Sequence, residues 1–395
     1  MKICMLVSRV PWPLEKGDKL RAYHQVKQLA KRHEVHLLCL SDSIVDESAL
    51  THLRSITPHV HVYRLVRWKI WLRMLLALFS RKPFQVHYFF DLSIARQLVR
   101  TIETIQPDVI YCQLIRCSEY VKHLHHYIKA IDYMDALSAG QQRRTQRAPW
   151  YLKPFVKEES RRLMAYEHLI FDYFEYHSII SEQDQKLIYH AQSNRIHIVP
   201  NGIDSVFFQN SHSTNPTYDV VFTGNMSYPP NVEGAQRLVN EVLPLVRKTH
   251  PTLKVLLAGA NPSGEVLSLQ SDSVHVSGWM DDIRDAYKSA RILVAPMVSG
   301  SGMQNKLLEA MCMGLPCVTT PLAAAPLCVK HREQCLIGDT NEALAECISE
   351  LLDNRAEADR IGREARRYVE SNFNWESTVA LLESGCFPIT NSNRA

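Results

Sequence analysis

The run Ser299-Gly300-Ser301-Gly302-Met303-Gln304-Asn305-Lys306-Leu307-Leu308-Glu309 combines residue types that can hold a phosphate ester. An apolar strand ends near Pro296, a glycine-rich loop follows, and a helix begins near Asn305. Free amides at a helix start, with glycines allowing close approach, suit an oxyanion. Lys306 adds a cation in the first turn, and Glu309, three residues on, shares its helix face. A carboxylate there can accept hydrogen bonds from a ribose diol. On spacing alone, a capped helix with a solvated lysine and glutamate reads equally well.

A second candidate lies near the amino terminus. Gly17 permits backbone close to a ligand, Asp18 reads as a helix N-cap, and Lys19 and Arg21 fall in the first turn. A plain loop–helix junction is the alternative. The stretch RWKIWLRMLLALFSRK, residues 67–82, is apolar from Ile70 to Phe79 except for Arg73 and carries basic residues at both ends. It is too short to span a bilayer and suits a helix lying among lipid headgroups, or else a core helix. His123, His125 and His126 cluster on a predicted helix and His59 and His61 flank a strand start, but no HExxH or matching carboxylate set accompanies them, so no metal site is expected. The ten cysteines form no CxxC pair and fall mostly in apolar segments, as buried thiols of a reducing compartment do.

These groups must be positioned by a chain of 395 residues, 46% hydrophobic and 22% charged, which is the balance of a folded protein with two domains. No 18-residue apolar run and no secretory leader is read, and a cytoplasmic location is expected. Residues 1–200 carry 29 Lys and Arg against 19 Asp and Glu, whereas the remainder carries 16 against 22. Halves of opposite sign fit domains with different partners, the basic one preferring anions. Strands are predicted at Ile3–Val7, Val35–Leu40, Val60–Val66, Val109–Cys112 and Ser178–Ser181, then at Asp219–Thr223, Lys254–Ala258, Val274–Ser277, Ile292–Ala295 and Cys317–Thr320. Helices alternate with them, among others at 20–32, 92–105, 151–174, 232–248, 282–290, 306–313 and 342–373. Alternation of this kind implies doubly wound parallel sheets, one in each half, with ligands at the carboxyl ends of the strands.

The stretch NKLLEAMCMGLPCVTT, residues 305–320, resembles the donor-site signature of the GT-B glycosyltransferases of family 4, the group 1 type. PNGID at 200–204 resembles their interdomain linker, VVFTGNMSYPPN at 220–231 their first donor-domain strand and loop, and VHVSGWMDDIRDAY at 274–287 the segment flanking the nucleotide base. The opening SRVPWPLEKGDKLRAYHQVKQLA resembles their acceptor-side loop and helix, and with TGNMSYPPN looks most like a bacterial subgroup tied to exopolysaccharide export.

The resemblance implies a GT-B fold: an α/β acceptor domain over 1–199, a nucleotide-sugar donor domain over 200–373, and a tail over 374–395 packing back on the first domain across a cleft. It implies donor binding by Gly224, Asn225, Trp279, Met280, Gly300, Ser301, Gly302, Met303, Asn305, Lys306 and Glu309. Glu309 matches the second Glu of the family's Glu-x7-Glu motif, while Ser301 stands where the first would be, so main-chain amides of 300–303 replace that contact. The loop after the first donor strand lacks the family's basic pair, which leaves Lys306 to meet the diphosphate, with Arg9 or Lys19 as further cations. Arg9, Gly17, Asp18 and Lys19 form the acceptor-side loop. Asp132 or Asp135 stands near the place of a family histidine and is expected to take the acceptor proton, Asp135 being equally a helix N-cap. No cofactor and no metal is expected.

The leading expectation is a retaining sugar transferase acting from a nucleotide-sugar on a lipid-linked saccharide, peripheral on the inner membrane through 67–82. A nucleotide-sugar epimerase or hydrolase of the same fold is the alternative. A nucleic-acid-binding protein using the basic 51–100 stretch is disfavoured, because no compact binding motif accompanies it.

Overall fold

The computed structural model describes residues 1–14, 16–209, 216–300 and 303–387. The chain divides into two compact units, Met1–Asn201 with the segment from Trp375 onward, and Gly202–Asn374.

The first unit holds a seven-stranded sheet: β1 (Lys2–Val7), β2 (Glu34–Ser41), β3 (His59–Arg64), β4 (Val109–Gln113), β5 (Ile128–Asp132), β6 (Tyr176–Ile179) and β7 (His197–Ile198), in the order β3-β2-β1-β4-β5-β6-β7. Every pairing is parallel. Apolar runs without in–out alternation arise because both faces are covered. Ile3, Met5 and Val7 of β1 join one apolar cluster, while Cys4 and Leu6 join the other. The helix Trp375–Cys386 closes the first of these clusters with Val379, Leu382 and Cys386, and Arg32 and His33 hold its Glu383 at 2.6 and 2.7 Å.

Inside this unit a fully buried ion pair ties the first helix to the sheet. Arg21 donates from Nε to Asp132 Oδ2 at 2.6 Å and also reaches Asn201 Oδ1 at 2.9 Å. Asp132 further accepts from the Tyr111 and Ser178 hydroxyls and from the Met134 amide. The nearby carboxylate raises the Arg21 pKa against the opposing effect of burial.

The second unit repeats the plan with β8 (Tyr218–Thr223), β9 (Val255–Ala258), β10 (Val274–Gly278), β11 (Ala290–Ala295), β12 (Cys317–Thr319) and β13 (Leu336–Ile337), ordered β10-β9-β8-β11-β12-β13. In both sheets the strand order reverses beside the first strand. Open α/β sheets take ligands at that switch point, outside the carboxyl ends of the strands. Here it lies between β1 and β4, and between β8 and β11.

Several expectations need correction. β5, with Lys129 inside it, and the two-residue β7 and β13 escape the apolar reading. The strand expected at Ser178 begins at Tyr176. His123, His125 and His126 lie in turns rather than a helix. The helix expected over 342–373 is two, Asn341–Asp353 and Arg355–Asn372, because the Asn354 side chain caps the second by accepting from the Glu357 amide.

Asp132→Ala would strand the buried guanidinium without a partner. We expect it to destabilise the protein by about 3–5 kcal/mol, read from urea unfolding. A loss within the range of an exposed pair, roughly 0–1 kcal/mol, would show the pair to be dispensable.

Candidate active site

β8 runs out at Thr223 into Gly224, where φ is +151°. A Cβ on Gly224 would stand 2.6 Å from Asn231 Nδ2, and one on Gly259, at the end of β9, 1.9 Å from the Gly224 carbonyl oxygen. Only glycine lets these turns close this tightly. Asn231 opens the helix Pro229–Arg237, donates from Nδ2 to the Asn225 carbonyl at 2.9 Å, and accepts at Oδ1 from Lys306 Nζ at 2.6 Å. On the other side of the switch point β11 passes through Met297, Ser299 and Gly300, φ +117°, toward the helix Asn305–Cys312. Hydroxyls of Thr319 and Thr320 hold the exit of β11 by donating to the carbonyls of Ala295 and Met297. Gln304 stands at the N-cap, and its side chain makes no capping hydrogen bond.

Lys306 is therefore not a solvated first-turn residue. It is 8% exposed, with Nζ 4.2 Å from the Phe222 ring centroid and 3.8 Å from Met297 Sδ. Burial brings its pKa down from 10.5 to about 7, against the opposing pull of Glu309. Glu309 keeps part of its surface open and accepts from Tyr287 Oη at 2.6 Å. Tyr287 in turn bonds the Thr223 hydroxyl at 2.8 Å. Burial raises the Glu309 carboxyl from 4.5 to about 7, which the Tyr287 bond and Lys306 partly oppose. A base and an acid whose pKa values burial brings to about 7, one turn apart on the same helix, suit the binding of a charged group.

The structure thus brings Gly224, Asn225, Asn305, Lys306 and Glu309 together, with Gly300 on the loop and Met303 packed on the core. Ser301 and Gly302 lie outside the described residues. Trp279 is 65% exposed after β10, its indole donating to Asp281, while Met280 packs on the core. Asn231, Phe222, Tyr287 and Thr223 were not singled out from sequence. Their contacts join residues far apart in the chain, so spacing carries no trace of them.

In the first unit the candidates separate. Asp132 is sealed in the Arg21 pair with its oxygens occupied, so its role is structural and the proton-accepting role is not supported. Asp135 is half-buried and is not a cap: Ala136 stands at the N-cap of the helix Leu137–Arg147, and Glu167 supplies the bonds by accepting from the Ser138 amide and hydroxyl. Asp18 lies inside the helix Gly17–Leu29, whose N-cap is Lys16, and forms an ion pair with Arg9. Gly17 has open space around it and no special φ, so nothing at that point requires a glycine. Lys19 is half-buried one residue on.

Residues 217–354 match the family model described as glycosyl transferases group 1. An uncharacterised 44.6 kDa protein of the cps region of Klebsiella pneumoniae is 23% identical over 406 residues, covering 96% of this chain and 98% of that one. Among solved structures, a sucrose-phosphate synthase from Thermosynechococcus elongatus superposes with a TM-score of 0.68 at 16% identity, over 97% of this chain and 98% of that one. An Anabaena protein crystallised with UDP-glucose gives 0.66 at 15%, over 97% and 99%. The fold is that of these GT-B proteins.

The pH dependence of stability follows from the two shifts. Between about 7 and 10.5 the unfolded chain holds a proton on Lys306 that the folded one lacks, so this residue makes stability rise with pH. Between 4.5 and about 7 the folded chain holds the extra proton on Glu309, so that residue makes stability fall as pH rises. Lys306→Met removes the first effect. Its stability relative to wild type should be more favourable at pH 6 than at pH 9.5, read from urea midpoints. An equal difference at both pH values would place the amine in water.

Proposed function

We infer that this chain, a member of the group 1 glycosyl transferases through residues 217–354, is a retaining enzyme that passes a sugar from a nucleotide-sugar to a hydroxyl of a lipid-linked saccharide in cell-surface polysaccharide synthesis. The observation that carries the reading is Lys306, buried one turn from half-buried Glu309 at a helix start beside the β8–β11 switch point. In this reading the diphosphate of the donor meets Lys306 and the amides of 300–305, and Glu309 accepts from the ribose diol. Trp279 and Met280 flank the base.

The chemistry asked of the protein is placement and charge stabilisation. Lys306 resists its proton while buried alone, and an arriving diphosphate restores it. Charge on the departing diphosphate grows as the glycosidic bond breaks, so the attraction strengthens toward the transition state. The acceptor hydroxyl attacks from the face the diphosphate leaves, and the diphosphate takes its proton. No protein nucleophile and no divalent metal are called for. The UDP-glucose complex of the Anabaena neighbour and the cps-region setting of the Klebsiella relative support a nucleotide-sugar donor and a surface polysaccharide.

The lipid part of the reading rests on the helix Arg67–Ala77 and the turn after it. Ile70 and Ala77 face inward, while Trp68, Trp71, Leu72, Leu75, Leu76 and Phe79 are exposed, Phe79 by 92%. Exposed Arg67 and Arg81 border them, and Lys82, exposed beside Arg81, is paired with Glu119. The apolar surface has a neighbour in exposed Trp150, Tyr151 and Phe155: Phe155 stacks on Phe84 at 4.4 Å, and Arg162 grips the Ala77 carbonyl at 2.7 Å. Aromatic and leucine side chains rimmed by cations suit an anionic bilayer surface. Arg73 takes no part in this, since it is paired with Asp91, the N-cap of the helix Leu92–Ile105. Among the described residues no helix is long and apolar enough to cross a membrane.

UDP or GDP should raise the melting temperature in the presence of EDTA. With a confirmed donor, Lys306→Ala should lower kcat by about 10²–10³, and Glu309→Gln should mainly raise the donor KM. Folded variants with wild-type constants would remove this loop from the reaction. Trp71→Glu with Phe79→Glu should abolish co-flotation with vesicles of anionic phospholipid, since each fully buried apolar side chain contributes about 1.5–3 kcal/mol. Unchanged flotation would assign that face to another use.

A further inference from the structure

The switch point of the first unit carries its own charge. Arg9 follows β1 and Arg116 follows β4, the two strands between which the order reverses. Both guanidinium groups approach the same ring, at 5.5 and 5.6 Å from the Phe89 centroid. Arg9 is neutralised by Asp18. Arg116 is not: it donates from Nε to Gln85 Oε1 at 2.9 Å, and among the described residues no carboxylate forms an ion pair with it.

Arg116 is held firmly. It rides on the 3₁₀ turn Ile115–Tyr120, which leaves β4 through Leu114 at φ +66° and buries Ile115, Cys117, Ser118 and Tyr120 around it. Its partner Gln85 is fixed from behind, because Glu159 accepts from the amides of Phe84 and Gln85 at 2.7 and 3.1 Å. Glu159 itself is spent on that helix start and its pKa is raised by burial. Desolvation, then the charge of Arg9, weighs against the Arg116 cation, while the charges of Asp18 and Asp135 favour it from beyond ion-pair distance. A guanidinium offers five donors in a planar fork, and among the described residues one is used, to Gln85. A half-buried guanidinium on a rigid mount, with no carboxylate in ion-pair contact among the described residues and most of its fork unused, can receive an oxyanion.

We propose that Arg116, with Arg9 beside it, binds a phosphate group of the acceptor at the β1–β4 switch point. The acceptor is then a phosphorylated saccharide, either a sugar phosphate or a saccharide on a lipid diphosphate, and the fork holds two of its oxygens. The proposal rests on the transferase reading for the word acceptor, but its first test does not.

Calorimetry with inorganic pyrophosphate, run with the donor half saturated by UDP, reads the site directly. Wild type should bind, and Arg116→Gln should bind on the order of tenfold to a hundredfold more weakly, the range of charge-assisted hydrogen bonds. Arg116→Lys keeps the charge and the packing on Phe89 but loses the fork, and should fall between. In turnover, Arg116→Gln should raise the KM for a phosphorylated acceptor and leave both the donor KM and the KM for a neutral methyl glycoside unchanged. A sugar 1-phosphate and a short-chain polyprenyl diphosphate saccharide, compared as acceptors, separate the two sources of the phosphate. Wild-type pyrophosphate binding in folded Arg116→Gln and Arg116→Lys would overturn the proposal. A missing UDP-induced thermal shift in wild type would instead count against the transferase reading, with pyrophosphate binding then scored without UDP.

Discussion

A lysine amine buried against an aromatic ring, with one neutral oxygen as its hydrogen-bond partner, constrains the whole second unit. Lys306 can stand where it does only because Asn231 offers Oδ1 at 2.6 Å and Phe222 its ring. Asn231 in turn needs Gly224 to lack a side chain, and the Gly224 carbonyl needs the same of Gly259. Three strand ends and two helix starts are therefore tied together at one point. An isolated buried ammonium costs several kcal/mol, so the apo protein relieves the cost by releasing the proton near neutrality. Glu309 answers in the opposite sense, its carboxyl raised by burial to about 7.

What was legible in the sequence was what is local. The glycine loop, Lys306 and Glu309 occupy eleven consecutive residues, and their strand–loop–helix setting follows from apolar runs and turn chemistry. The partners that decide what these groups do were not legible. Tyr287 lies 22 residues from Glu309, and Asn231 lies 75 from Lys306. The reading of Asp132 or Asp135 as proton acceptor has the same limit: the Arg21 that pairs with Asp132 is 111 residues away, and nothing near either residue announces a sealed pair. β5 was missed because Lys129 breaks its apolar run, although the amine turns back to the Leu124 carbonyl and toward Glu175 and leaves the strand buried. Arg116 was passed over for a related reason. A single arginine in an apolar stretch reads as ordinary until the ring it shares with Arg9 is seen.

The net positive charge of the first half now divides into uses. Arg21, Arg73 and Arg162 hold structure: they are buried or half-buried, paired with Asp132, Asp91 and Glu158. Lys82 and Lys122 share the buried Glu119, whose pKa they and Tyr166 lower against burial. Arg67 and Arg81 line the exposed aromatic face. Arg116 combines a rigid mount with a guanidinium that, among the described residues, no carboxylate holds in an ion pair.

The two sheets share one topology and place a cation at the same point in it, yet the residues differ in a way that matches the tasks assigned to them. A lysine with a pKa brought to about 7 can change charge, so it can respond when a diphosphate departs. An arginine cannot lose its proton in any working range, so it can only hold. A group whose charge changes during reaction is served by the first, and a group that merely has to stay in place is served by the second. Exchanging the two would put a fixed charge where the apo protein must bury it and a titrating one where no charge develops. In the proposed reading, the division of lysine to β11 and arginine to β4 follows from the chemistry of each half.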